Sequence, residues 1–191
     1  PYTTGDDPRS LDWRLYARSD RYCVKKYQDE TNRRCYILLD QSKSMTYGSL
    51  GYTKADYAKT VAATLATYLW NQRDAIGFMA FTDRVHDMIP ARRRHGQMQR
   101  VVASIDREAT GDSTRLDLPL QRIAESIATR GLVVMISDFL SPIDSLRWPF
   151  GLVCARGQEV CCIRILDPTE ASFQPQQAMT LRDAETGQLM Y

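Results

Sequence analysis

The chain has 191 residues, of which 43% are hydrophobic and 25% are charged, the profile of a globular protein with one domain of ordinary size. These proportions exclude a disordered chain, a collagen-like fibre and a small domain that depends on disulfides. The formal charge of +2 is too small to predict a nucleic-acid partner, and we expect none.

The five cysteines are odd in number and include no Cys-x-x-Cys pair. Cys35, Cys161 and Cys162 lie in apolar runs, which predicts buried, free thiols in a reducing compartment. No apolar run approaches the ~20 residues that span a bilayer. The chain begins with Pro1 rather than methionine, so we interpret it as a piece of a longer protein. We expect a cytoplasmic bacterial domain and leave open a membrane anchor in its parent protein.

Charged and aromatic residues alternate through the first 32 residues, which predicts an extended or irregular amino-terminal flap packed on the main domain. The apolar run at 35–39, ending at Asp40, predicts a strand buried on both faces. The helical spacing of the apolar residues in 54–72 predicts a helix. The residues expected on its buried stripe are Tyr57, Val61, Leu65, Tyr68 and Leu69. The next segments predict a strand at 75–81, a strand at 85–89 paired with it as a hairpin, helices at 97–105 and 116–129, a strand at 132–136, a helix at 144–155 interrupted near Pro149, and a strand at 160–166.

This alternation of strands and helices predicts an α/β domain at 33–167. Its central sheet should be mostly parallel, with helices on both faces. Residues 1–32 would form the flap. Residues 168–191 look less regular and predict a carboxy-terminal extension with a turn or hairpin.

Polar residues gather where ligands bind in such folds, at the edge formed by the carboxyl ends of the strands. The pattern Asp-x-Ser-x-Ser follows the first buried strand, a threonine lies in a later loop, and an aspartate ends a later strand. The pattern lets one loop present a carboxylate and two hydroxyls toward a common point. The expected metal ligands are Asp40, Ser42, Ser44, Thr114 and Asp138.

All five side chains offer oxygen, and only two of them are carboxylates. Oxygen ligands suit a hard divalent cation, so the set predicts a site for Mg²⁺ or Mn²⁺. Two carboxylates and three neutral hydroxyls leave such a cation short of negative charge. The site should therefore accept an acidic side chain from outside, which predicts metal-dependent capture of an Asp or Glu on a partner protein.

The order of these residues resembles the metal-ion-dependent adhesion site of von Willebrand factor A domains. The flanks are similar to the bacterial family called domain of unknown function 58, in the segments GDDPRSLDW at 5–13, DQSKSM at 40–45, ISDF at 136–139, LDPTE at 166–170 and DAETG at 183–187. The resemblance implies a von Willebrand A-like fold and a partnership with a MoxR-type AAA+ ATPase in chaperone-like assembly. Gln41 departs from the family pattern, where a small residue is frequent, and its side chain could crowd the approach to the site.

Other interpretations of the same residues remain open. Asp40 could simply cap the next loop, with Ser42 and Ser44 making local turn bonds. The chain could also be a purely structural fragment whose metal site has decayed. Ser137 could donate a hydrogen bond to the site or simply end a strand. A strand ending in Asp40 is also similar to haloacid-dehalogenase-type phosphohydrolases, which need a second aspartate where this chain has Ser42. We therefore expect no enzymatic activity, with Mg²⁺-dependent phosphohydrolysis through Asp40 as the alternative.

Overall fold

The structure is a computed structural model that describes residues 11–23, 33–108, 115–127, 129–172, 181–182 and 189–190. The chain divides into two compact units, Pro1–Glu30 and Thr31–Tyr191. Within the first unit, helix α1 (Trp13–Ser19) lies where the sequence predicted extended or irregular structure. The Asp12 carboxylate caps this helix by accepting hydrogen bonds from the next backbone N–H groups, and the helix is rich in good helix formers.

The second unit alternates strands and helices. Its strands are β1 (Arg34–Asp40), β2 (Ala75–Phe81), β3 (Val85–Arg92), β4 (Gly131–Ser137), β5 (Glu159–Arg164), β6 (Leu181–Arg182) and β7 (Leu189–Met190). Its helices are α2 (Lys54–Asn71), α3 (Gln97–Ile105), α4 (Asp117–Ser126), α5 (Ile143–Ala155) and α6 (Pro168–Ala171), and a 3₁₀ turn spans Lys43–Thr46.

The described strands form a five-stranded sheet in the order β3-β2-β1-β4-β5, with β6 and β7 in a separate antiparallel pair. Strands β1, β2, β4 and β5 are parallel, and β3 runs antiparallel to β2 as the predicted hairpin. This confirms the predicted α/β fold with a mostly parallel sheet. Leu39 pairs with Ile136, so the carboxyl ends of β1 and β4 lie side by side at one edge.

Two apolar clusters cover the two faces of the sheet. Ile37 and Leu39 of β1 belong to the cluster that includes residues of α2 and α3. Tyr36 and Leu38 alternate with them and belong to the cluster that includes residues of α4 and α5. Strand β1 is therefore buried on both faces, as the sequence predicted.

Helix α2 buries only part of the stripe that the spacing of its apolar residues predicted. Leu69 is buried as predicted, and Val61 and Leu65 pack partly against the core, but Tyr57 and Tyr68 are 50% and 58% exposed. The small residues Ala58, Ala62 and Ala66 are buried instead. The alanine methyl groups let the helix backbone come close to the sheet. Tyrosine rings would hold it away, and their hydroxyls bond more readily with water at the surface.

Two further predictions differ from the structure. Helix α5 continues through Pro149, which lacks an N–H donor, because Leu146 and Val153 pack into the core on either side of it. Of the cysteines, Cys35 is buried as predicted, but Cys161 and Cys162 are exposed. Strand β5 is the outermost described strand on its side of the sheet, so its side chains are less covered than those of β1.

Candidate metal centre

The loop after β1 is held by both backbone and side chains. The backbone N–H of Gln41 donates to the carbonyl of Phe81, which extends the strand pairing by one residue. Asp40 Oδ1 accepts a 2.9 Å hydrogen bond from the N–H of Ser42. Met45, fully buried in the 3₁₀ turn, anchors the loop in the core. The local turn bond considered for Asp40 is therefore present, and it fixes the serines beside the carboxylate.

The two serines of the Asp-x-Ser-x-Ser pattern face each other. Their hydroxyl oxygens lie 3.1 Å apart. Together with Asp40 and Asp138, these side chains belong to residues that are at most 3% exposed. Polar groups at this depth need partners because water does not reach them. The loop thus presents a small, buried cluster of oxygen atoms.

The end of β4 meets this loop through Ser137, whose hydroxyl donates a 2.6 Å hydrogen bond to Asp40 Oδ2. Ser137 is therefore a partner of the site and more than a strand end. The chain then bends at Phe139, a non-glycine residue with φ of 55°. After the bend, the N–H of Leu140 donates to Asp138 Oδ1 at 3.2 Å.

The structure brings together four of the five predicted ligands, Asp40, Ser42, Ser44 and Asp138, while Thr114 lies outside the described residues. The side chain of Gln41 is buried, and its amide donates to the carbonyl of Arg107. It thus ties the loop to the segment after α3.

Asp40 is a buried carboxylate without an ion-pair partner among the described residues. Burial raises the pKa of Asp40 to about 6, and the nearby Asp138 adds to the rise, while hydrogen bonds from Ser137 and Ser42 oppose it. No Lys or Arg of the described ranges forms an ion pair with Asp40. Burying a carboxylate without a counter-cation is unfavourable, so a cation beside Asp40 would stabilise its charged form.

Asp138 differs, because a lysine that the sequence analysis did not select reaches it. Lys54 Nζ lies 3.0 Å from Asp138 Oδ2 and 2.8 Å from Glu170 Oε1. Burial lowers the pKa of the Lys54 ammonium, but the hydrogen bonds to both carboxylates outweigh burial, and the pKa lies above its usual value. A charged lysine therefore borders the oxygen cluster.

The segment after β5 holds Glu170 in place, and sequence analysis missed its role as well. Asp167 accepts hydrogen bonds from the N–H and hydroxyl of Ser49 at 2.8 and 2.6 Å. The N–H of Asp167 in turn donates to Glu170 Oε2 at 3.0 Å. The pattern Asp-Pro-x-Glu is a capping box with proline in the first turn, so a helix start at 167 was readable from the sequence.

The donor set fits a hard divalent cation. Its atoms are carboxylate and hydroxyl oxygens, which Mg²⁺ and Mn²⁺ prefer, and Asp40 lacks a counter-charge in the described part of the chain. No group of three or more His, Cys, Asp or Glu side chains suited to a metal occurs among the described residues. The donor set there rests on two carboxylates and the hydroxyls around them.

A family model described as "Protein of unknown function DUF58" matches residues 1–191. The chain belongs to the DUF58 family. Similar DUF58 relatives are the uncharacterized proteins Rv1480 of Mycobacterium tuberculosis and Mb1516 of Mycobacterium bovis, each 29% identical over 189 residues. The match covers 97% of this chain but 59% of each relative, so the chain spans about three fifths of their length.

Solved structures share the DUF58 fold described above. An aerotolerance-related membrane protein from Bacteroides fragilis superposes with a TM-score of 0.61 at 15% identity, covering 82% of this chain and 79% of that one. BatB from Bacteroides thetaiotaomicron gives 0.58 at 14% identity, covering 82% and 78%. At these identities the likeness concerns the fold. None of the described helices of this chain is long and apolar enough to cross a membrane.

Proposed function

We propose that this DUF58 domain is a divalent-metal-dependent protein-binding module that captures an acidic side chain of a partner protein. The observation that carries the proposal is the buried oxygen cluster at the ends of β1 and β4. There Asp40 lacks a counter-cation in the described part of the chain, while Ser42 and Ser44 offer hydroxyl oxygens beside it. Thr114 is proposed as a further ligand from the sequence pattern alone.

The residues divide the work in a simple way. Asp40 and Asp138 would supply the negative charge that holds the cation, and the serine hydroxyls would fill neutral positions around it. A bound cation supplies a Lewis acid that attracts a carboxylate from outside. Ser137 keeps the Asp40 carboxylate in one orientation through its 2.6 Å hydrogen bond.

The surface near the site also favours a protein partner. Tyr47, Leu50, Tyr52 and Tyr57 are each about half exposed. Three of them line a groove of about 250 Å³ that also includes Lys54 and Leu166. Exposed tyrosines are enriched where proteins bind one another because their rings are apolar and their hydroxyls are polar. These exposed side chains would contact the partner protein around the acidic residue that the metal captures.

The partner we propose is a MoxR-type AAA+ ATPase or one of its clients, on the strength of the family resemblance. The domain would act in chaperone-like assembly and would itself have no enzymatic activity. Ser42 occupies the place where a phosphohydrolase of the haloacid-dehalogenase type would need an acid/base aspartate.

Thermal unfolding tests metal binding. Mg²⁺ and Mn²⁺ should raise the Tm of the wild-type domain, since a ligand that binds only the folded state stabilises it. Asp40→Asn should abolish the rise, whereas the exposed Asp144→Asn should keep it. A Tm that responds to neither cation at millimolar concentration, both in wild type and in Lys54→Gln, which lacks the charge beside Asp138, would refute the metal site.

A binding experiment tests partner capture. The domain should retain the MoxR-type ATPase of the same genome in Mg²⁺ and release it in EDTA, and Asp40→Asn should not retain it. Retention that survives EDTA would refute metal-dependent capture. Turnover of a phosphomonoester in Mg²⁺, lost in Asp40→Asn and kept in Asp144→Asn, would favour the hydrolase instead.

A further inference from the structure

The Lys54 ammonium is held between two carboxylates at the edge of the oxygen cluster. Nζ lies 3.0 Å from Asp138 and 2.8 Å from Glu170. The side chains of Lys54 and Asp138 are 2% and 0% exposed, whereas Glu170 is 29% exposed. A buried ammonium needs such partners, because desolvation without them is costly.

Lys54 depends on these two carboxylates all the more because of its position in the helix. It is the first residue of α2, and the positive end of a helix dipole disfavours a cation there. Thr53 and Asp56 already cap this helix through a reciprocal capping box, so Lys54 is not needed for capping. What the lysine contributes at this position is a positive charge beside Asp138.

The far side of the ion pair is fixed as well. Glu170 Oε2 accepts a hydrogen bond from the N–H of Asp167, and Asp167 binds Ser49 of the loop that leads into α2. Glu170 therefore keeps its position beside Lys54 independently of Asp138. If Asp138 turned its charge toward another cation, Lys54 would retain a carboxylate partner.

We propose that Lys54 is an internal counter-cation that competes with the divalent metal for the charge of Asp138, with Glu170 as the carboxylate that keeps Lys54 when the metal binds. This inference rests on the proposed function. Two cations on one buried carboxylate repel each other, because charges interact strongly where water is excluded. Lys54 thus limits metal affinity, and Glu170 makes the exchange of partners feasible.

The decisive experiment compares Lys54→Gln with Lys59→Gln in the whole chain. Lys59 lies on the same helix and donates to the backbone carbonyl of Asp106, and it forms no ion pair with Asp138 or Glu170. Isothermal titration with MnCl₂, repeated with MgCl₂, gives the Kd of each protein. Loss of the neighbouring charge should lower the Kd at least about tenfold in Lys54→Gln. Lys59→Gln should stay within about twofold of wild type.

A second variant keeps the inference testable if Lys54→Gln does not fold. Glu170→Gln removes the alternative partner, so Lys54 stays on Asp138 and the Kd should rise several-fold. A purely structural ion pair would lower the metal-free Tm in these variants and leave the Kd unchanged.

The outcomes separate the two proposals. This inference is overturned, and the metal site left standing, if wild type binds metal and Lys54→Gln has the same Kd. If only Glu170→Gln folds, an unchanged Kd in that variant has the same meaning. Failure of wild type and both variants to bind overturns the proposed function, and this inference with it. Binding by Lys54→Gln when wild type binds weakly or not at all supports the competition.

Discussion

The Ser137 hydroxyl donates a 2.6 Å hydrogen bond to Oδ2 of Asp40 and joins the ends of two neighbouring parallel strands. The same hydroxyl accepts a hydrogen bond from the N–H of Phe139. One serine therefore holds the Asp40 carboxylate and starts the bend that positions Asp138. It is the main link within the site between the loop after β1 and the loop after β4.

Ser137→Ala should destabilise the domain by about 1–3 kcal/mol at pH 7, because Asp40 Oδ2 loses its donor in a buried place. The loss should be smaller at pH 5, where Asp40 is protonated. Urea unfolding at both pH values measures it. The exposed Ser145→Ala, which removes only a hydrogen bond to the carbonyl of Pro142, should cost less. Equal losses for the two variants would contradict the role of Ser137.

Asp40→Asn should leave the metal-free domain as stable as wild type at pH 7, or up to about 3 kcal/mol more stable. Most substitutions of buried residues destabilise, but this one removes a buried charge and keeps an oxygen that can accept from the N–H of Ser42. Urea unfolding in EDTA gives the free energy of unfolding. A loss above about 1 kcal/mol would mean that the charge of Asp40 is compensated.

The raised pKa of Asp40 predicts a particular pH dependence. Its value of about 6 in the folded protein exceeds the ordinary 3.8, so the folded state binds the proton more tightly than the unfolded state. The stability that protonation of Asp40 contributes to the folded state is fully present below about pH 4 and is lost as the pH rises through 6. Metal-free wild type should lose about 2 kcal/mol relative to Asp40→Asn between pH 4.5 and 7. Parallel stability profiles for the two proteins would contradict this.

Substitutions on the buried and the exposed face of α2 should differ in their effect on stability. Ala62→Leu should destabilise by about 1–3 kcal/mol, because the core has no room for a larger side chain there. Tyr68→Ala should cost less than about 1 kcal/mol, since the ring is 58% exposed. Denaturant midpoints of both variants check this. The buried stripe expected from the sequence would give the reverse order.

Much of the sheet and most of the site were predictable from the sequence for one physical reason. A strand covered on both faces is a continuous apolar run, and its end is marked by the first polar residue. In β1 that residue is Asp40, and in β4 the polar pair Ser137 and Asp138 follows the run. Parallel strands bring such ends to one edge, so the candidate ligands could be grouped from the sequence alone.

The buried face of α2 could not be chosen in the same way. The spacing of apolar residues in α2 is compatible both with a buried stripe of large residues and with a buried stripe of alanines. Close approach of the helix to the sheet selects the alanines, and that distance is a tertiary property. Lys54 was missed for a related reason, because its partners lie 84 and 116 residues away along the chain.

The hydrogen bonds around Asp167 set a practical limit for shortened versions of this protein. Strand β5, the last strand of the five-stranded sheet along the chain, ends at Arg164, so the residues after it look dispensable. Deleting Pro168–Ala171 would nevertheless remove Glu170 and strip a neighbouring ammonium of one of its two anions. Expression boundaries for crystallisation or spectroscopy should therefore run past Ser172, or the truncated domain will report on a damaged site.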